Sequence, residues 1–246
     1  MDVFVKLTRA ELRLAVRDPM FTFFVLFFPT ILVGILGCIP AFREPSADLG
    51  GGRVIDVYVG IAVAFNLAVL ALQTMPTILA TYREKGILRR LATTPVSPAM
   101  LLGAQLAMSL LCAILSTALV LAVGRIAFDV PLAGQFAGFV LAFLLCACGV
   151  LAIGLTVAAL VPTGKAGNAV GTLLFFPSMF FAGLWTPREV MPAVLQRIGD
   201  FMPLGAGERA LHDAMTGHWP NLTSVTVLVA YAVVFGALAR RFFRWE

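Results

Sequence analysis

Long apolar runs separated by short polar breaks dominate the chain. A membrane-spanning helix needs about 20 apolar residues, because the hydrocarbon is roughly 30 Å thick and each helical residue rises about 1.5 Å. Five runs reach that length, over residues 20–42, 54–80, 99–123, 135–161 and 222–239. A sixth, 168–185, sits near the short limit but carries no charge. The pattern therefore predicts six spans. Between them, 43–53 holds charges, Pro45 and the triplet Gly50-Gly51-Gly52, and 81–98 is basic and interrupted by Pro95 and Pro98. Residues 125–131 and 162–167 are short turns, and 186–221 is long and mixed.

Composition supports the same picture. The 246 residues are 60% hydrophobic and only 13% charged, with a mean hydropathy of +0.96. A soluble chain carries roughly 25% charged residues, so this one lacks the polar surface to face water and is expected to be an all-α integral membrane protein. A single transmembrane domain over 1–246 accounts for the whole length. Lys and Arg in alternate loops number twelve on the side of the two termini and six on the other. That bias places both termini in the cytoplasm, as an even number of spans requires. The net charge of +5 flanks apolar runs, the membrane pattern, and does not point to nucleic acid. No secretory signal is expected, since Lys6, Arg9, Arg13 and Arg17 fill the first nineteen residues with no cleavable apolar stretch.

Those four cations recur at steps of three and four and share one helix face. Val3, Leu7, Ala10 and Leu14 form an adjacent apolar stripe. Residues 1–19 are thus expected as a helix lying among lipid headgroups. Asp18 should cap the next helix, with Pro19 at its first position.

The predicted spans hold no ionisable group at their centres. Their polar side chains are Asn66, Gln73, Gln105, Ser109, Ser116, Thr117 and Thr156. Ion-coupled carriers place charges within the bilayer, so the energy for any uphill transport is expected from outside the membrane. The chain carries no ATP site of its own. Gly164-Lys165 is followed by Ala166, and Ala159 stands where a phosphate loop needs glycine. No catalytic triad is present, and His212 and His218 are six apart, the wrong spacing for two metal ligands on a helix. Cys38, Cys112, Cys146 and Cys148 lie in apolar runs as packing residues. No enzyme activity, metal or cofactor is expected in this chain.

Two segments between spans carry more information. The first, 81–98, reads TYREKGILRRLATTPVSP. Tyr82, Ile87, Leu88 and Leu91 are apolar, and Arg83, Glu84, Lys85, Arg89 and Arg90 are charged. Pro95 ends the helix, and Ser97-Pro98 caps the next span. A short amphipathic helix joined to two spans suits a lever for a cytoplasmic partner. The second, 186–219, is expected as an outer helical hairpin. Thr186-Pro187-Arg188-Glu189 forms a capping box, Pro203 with Gly205 and Gly207 breaks the chain, and Glu208 opens a second short helix to Met215. Both pieces are too short to span, so a re-entrant or surface-lying hairpin follows, with Trp185 and Trp219 at the interface.

At these residues the chain resembles the membrane subunit of ATP-binding-cassette type-2 exporters, the group that includes daunorubicin-resistance permeases and polysaccharide and teichoic-acid exporters. The sharpest part is Arg83, Glu84, Lys85, Gly86, Leu88, Leu91, Thr94, Pro95, Val96 and Ser97. A second match is FFPSMFFAGLWTPREVMPAVLQRIGDFMPLGAGERA over 175–210, where Met202-Pro203 replaces the family's usual Asn-Pro. The resemblance implies a permease dimer, homomeric or heteromeric, in the bacterial inner membrane. It implies two cytoplasmic ATPase subunits that hold ATP and magnesium. Residues 81–92 would be the coupling helix, with Thr94 and Pro95 closing the segment, and the outer hairpin would shape the exit. Asn66, Gln73, Phe176 and Phe180 are candidates for the substrate path, suited to an amphipathic drug-like, lipid-like or glycoconjugate cargo. A passive facilitator or a membrane scaffold, neither needing an ATPase, are the alternatives. Transport in ATPase-free vesicles separates them.

Overall fold

A computed structural model of the protein describes residues 2–46, 49, 51–92 and 97–242. These residues form ten α-helices and no β-strand. They are α1 (Asp2–Arg17), α2 (Pro19–Gly37), α3 (Val54–Glu84), α4 (Ile87–Ala92), α5 (Pro98–Phe128), α6 (Phe136–Leu160), α7 (Gly164–Phe181), α8 (Ala193–Phe201), α9 (Pro203–Met215) and α10 (Leu222–Phe242). Five of them, α2, α3, α5, α6 and α10, are long and apolar enough to cross a membrane. α7 has 18 residues and carries Lys165 in its first turn, and it is not among the five.

α3 is the axis of the fold. Nearly every residue from Ile55 to Leu72 is buried, enclosed by α2, α5, α6, α7 and α9. At 31 residues it extends about 46 Å, past the hydrocarbon thickness of about 30 Å. It begins where Asp56, in the first turn, pairs with Arg53 at 2.7 Å. It ends only at Gly86, which adopts φ +67, a left-handed conformation that stops a helix cheaply in glycine. The helix thus runs four residues past the expected span end at residue 80. Nothing in Thr81-Tyr82-Arg83-Glu84 disfavours a helix, so these residues form its last turn. For the same reason α5 continues beyond residue 123 through Arg125 to Phe128, where Asp129 turns left-handed at φ 53.

A π-helical turn interrupts α3 at Val69–Thr74. Two glycines of other helices press on it: a Cβ at Gly154 of α6 would strike the Ala71 carbonyl oxygen, and one at Gly171 of α7 the Leu72 carbonyl oxygen. In lipid the apolar environment does not drive helices together, so small residues that allow close backbone approach carry the packing. The Gly167-x-x-x-Gly171 spacing thus faces α3, and Gly134-x-x-x-Gly138 faces Gly217, Ala214 and Pro220. Both spacings serve packing within the chain.

The hairpin between α7 and α10 departs from expectation in two places. The capping box at Thr186–Glu189 opens only a short 3₁₀ turn, Arg188–Val190, because Pro192 follows at once. Pro203 does not end a helix but starts one: it occupies the first position of α9, which runs through Gly205 and Gly207. Those glycines fit where bulk cannot. A Cβ at Gly205 would meet the Gly199 carbonyl oxygen of α8, and one at Gly207 the Cys146 sulfur of α6.

α10 packs along α6, and Thr156 Oγ1 donates to the Phe235 carbonyl at 2.8 Å. Its cap is Asn221, whose Oδ1 accepts from Ser224 N at 2.8 Å. α1 forms a helix over Asp2–Arg17 that packs on the bundle by one face. Glu11 and Ala15 are buried, while Val3 and Leu14 of the expected apolar stripe stay exposed at 43% and 58%. Glu11 finds a partner on α3.

Candidate coupling site and membrane groove

Three consecutive residues at the end of α3 each bond a different helix. The Tyr82 hydroxyl donates to the Glu11 carboxylate of α1, at 2.9 Å to the nearer oxygen. Arg83 Nη1 donates to the Ala158 and Val161 carbonyls at 3.1 and 2.8 Å, capping the C-terminus of α6. A guanidinium there satisfies orphan carbonyls and complements the negative end of the helix dipole. Glu84 Oε2 accepts from Gly164 N at 3.1 Å, at the opposite, positive end of a dipole, the N-terminus of α7. Thr163 completes that terminus by accepting from Ala166 N at 3.2 Å. Successive residues on a helix point about 100° apart, so three in a row reach three neighbours.

Glu11 is buried among α1, α3 and α5. Burial raises its carboxyl above the usual carboxylate range, and the Tyr82 hydrogen bond draws it partly back. Beyond Gly86, Leu88 of α4 is fully buried, whereas Lys85 and Arg90 are exposed. Arg90 Nη2 reaches the Lys85 carbonyl at 3.5 Å. Thr94 and Pro95 lie outside the described residues, as do the side chains of Arg89, Leu91 and Glu189. The segment expected to be a single lever is thus divided into a braced root, Tyr82 to Glu84, and a short helix, α4.

Of the four residues expected to line a path, two come together. A groove of about 600 Å³ opens between α2, α3 and α7, and Gln73 and Phe176 line it with Phe24, Phe65, Asn168 and Trp185. The Trp185 ring stacks on Phe176 with centroids 6.0 Å apart. Asn66 is elsewhere on α3, buried and without a hydrogen bond among the described residues. Phe180 lies off the groove, edge-on to Phe181 at 5.3 Å.

At the hairpin, Asp200 of α8 receives Arg188 at 2.7 Å and Arg209 of α9 at 2.6 Å. Glu208 is buried beside Gly60 of α3. Pro187 precedes the 3₁₀ turn and is half-buried. Two groupings were missed from sequence: the tie of Glu11 to Tyr82 and the double pair on Asp200. A carboxylate placed among four cations in a short helix was a signal for the first. The second joins residues 188, 200 and 209 at spacings that no helix period marks.

Residues 2–216 match the ABC-2 type transporter family. The chain belongs to that family. Among curated proteins it is 22% identical over 243 residues to the "Putative transport permease YvfS" of Bacillus subtilis (strain 168), covering 98% of this chain and 96% of that one. It is 26% identical over 186 residues to the "Probable multidrug ABC transporter permease YbhR" of Escherichia coli (strain K12), covering 70% of this chain and half of that one. As an ABC-2 permease, the protein is the membrane subunit of an ABC transporter, and its apolar helices cross the membrane more than once.

Proposed function

We propose that this chain is the membrane-spanning half of an ATP-driven exporter that works as a permease dimer on two cytoplasmic ATPase subunits. Those subunits bind ATP and magnesium. The Glu84 end faces the cytoplasm of a bacterial inner membrane, together with both termini. α1 lies along that surface, with Val3 and Leu14 toward lipid.

One observation carries this reading. Tyr82, Arg83 and Glu84 tie the root of α4 to α1, α6 and α7 at once. A displacement of α4 by an ATPase is therefore felt by three helices, and by α3, the buried axis. The groove between α2, α3 and α7 is the half-path that a second copy completes. Its aromatic lining with the amides of Gln73 and Asn168 suits an amphipathic cargo. Lys85, Arg89 and Arg90 supply the polar contacts to the ATPase, with Thr94 and Pro95 part of the same coupling segment. The α8–α9 hairpin shapes the exit.

The test is reconstitution with the cognate ABC ATPase. The permease alone should hydrolyse no ATP, and the assembled complex should move cargo only with ATP. Replacement of Glu84, Arg89 and Arg90 together by Ala should leave ATP hydrolysis running without transport. Unchanged export by that variant would refute the lever.

A further inference from the structure

We infer that the exporter proposed above selects cationic amphiphiles, and that Glu11 and Asp18 recognise the positive group of the cargo; the inference names the substrate class and rests on that reading. A second cavity of about 260 Å³ lies beside the groove, bounded by α1, α3 and α5. The two adjoin, with Asp18, Phe21, Thr77 and Ile78 in the walls of both.

The walls of the smaller cavity offer acceptors and no spare donors. The Thr77 and Thr81 hydroxyl hydrogens are taken by the Gln73 and Thr77 carbonyls at 2.6 and 2.7 Å. The Tyr82 hydroxyl has one hydrogen, directed at Glu11, which lies 2.9 and 3.2 Å away through its two oxygens. The two oxygens share that one phenolic hydrogen, so Glu11, only 5% exposed, receives a single donor. Asp18, exposed at the edge of both cavities, uses Oδ1 to cap α2, accepting from Met20 N and Phe21 N.

Among the described residues no Lys, Arg or His lines either cavity. Asp56, Asp129 and Asp200 pair with arginine among the described residues, and Glu11 and Asp18 are among the acids that form no ion pair. A buried carboxylate short of donors next to a cavity calls for a cation. The adjoining groove presents Phe24, Phe65, Phe176 and Trp185, whose ring faces attract cations and whose bulk accommodates an apolar body. The cargo class that fits is an organic cation carrying a hydrophobic portion, taken up at the α1 side and passed along α2 and α3.

The permease in lipid nanodiscs is titrated with tetraphenylphosphonium, and with tetraphenylborate as an anion of the same shape. Phosphonium should bind, borate should not compete, and Glu11→Gln and Asp18→Asn should each weaken phosphonium by about tenfold. Gln keeps an acceptor for Tyr82 and Asn keeps the helix cap, so both variants should elute and melt as folded protein. Equal binding of the two ions, no phosphonium binding, or unchanged affinity in both variants would overturn the inference. A second arm adds the cognate ATPase in proteoliposomes and follows ATP-driven efflux of phosphonium and of a neutral fluorescent diacylglycerol. Efflux of the neutral lipid with no use of phosphonium rejects the cation preference and leaves the exporter. Phosphonium binding with no ATP-driven efflux of either probe rejects the exporter and leaves the binding site.

Discussion

The Glu84 end of α3 and the α8–α9 hairpin use similar numbers of polar side chains in opposite ways. At the Glu84 end, three adjacent residues send their bonds outward to three separate helices. In the hairpin, Arg188, Asp200 and Arg209 bond one another, and Gln196 closes the loop onto the Met191 carbonyl at 2.9 Å. Few polar bonds leave it, among them Tyr231 to the Phe201 carbonyl at 3.2 Å. The first arrangement couples elements that would otherwise move separately. The second keeps one element in shape. A network that radiates from a helix end suits transmission, and a network closed on itself suits a rigid rim.

The largest effect should come from wedging the radiating end apart. Gly164→Leu would drive a side chain into the Thr81 hydroxyl at the contact of α7 with α3. Overpacking of this kind costs about 3 kcal/mol, and size-exclusion chromatography should show loss of the monodisperse peak.

Next comes a matched pair. Arg83→Ala uncaps two α6 carbonyls, and Asp200→Ala leaves two half-buried arginines without their carboxylate. Each should cost about 2 kcal/mol by thermal unfolding. Only Arg83→Ala should separate ATP hydrolysis from transport in the reconstituted complex. Equal transport loss in the two variants would erase the distinction between the ends.

A smaller effect tests the tie to α1. Tyr82→Phe removes the donor to Glu11 and should cost about 1 kcal/mol. The pH dependence has a definite sign. Burial raises the Glu11 carboxyl in the folded protein, so the stability it contributes is full below its unfolded value of about 4.3 and is lost as pH rises through the higher folded value. Glu11→Gln should flatten this slope, seen as melting temperatures that vary less between about pH 4 and about pH 8.

The smallest effect on stability, within about 0.5 kcal/mol, belongs to Lys85→Ala with Arg90→Ala, because both side chains are exposed. The same double variant should weaken capture of the ATPase in a pull-down. Intact capture would move the contact to another part of α4.

Much of the architecture was legible along the chain. Runs of apolar residues located the five long helices to within a few residues, because a span must satisfy all its backbone bonds within one apolar helix and its length is set by the bilayer. Asp18 and Ser97 announced their caps by local chemistry. The termination of α3 was misplaced because Thr81 to Glu84 are polar yet helix-compatible, and polarity alone does not stop a helix. The hairpin was misjudged because Pro203 is equally at home after one helix and at the start of the next.

Sequence alone determined that this is a helical membrane protein with little charge inside its spans, and that residues 81–98 join two of them. It did so because hydropathy and capping are local properties, readable over a few turns. Only the tertiary structure decided that α3 is the axis, that glycines of α6 and α7 clasp its π-helical turn, and that Glu11 meets Tyr82 across 71 positions. Those outcomes depend on which faces of different helices come within contact distance. In a chain whose spans are apolar on every side, no periodic pattern marks the face that packs.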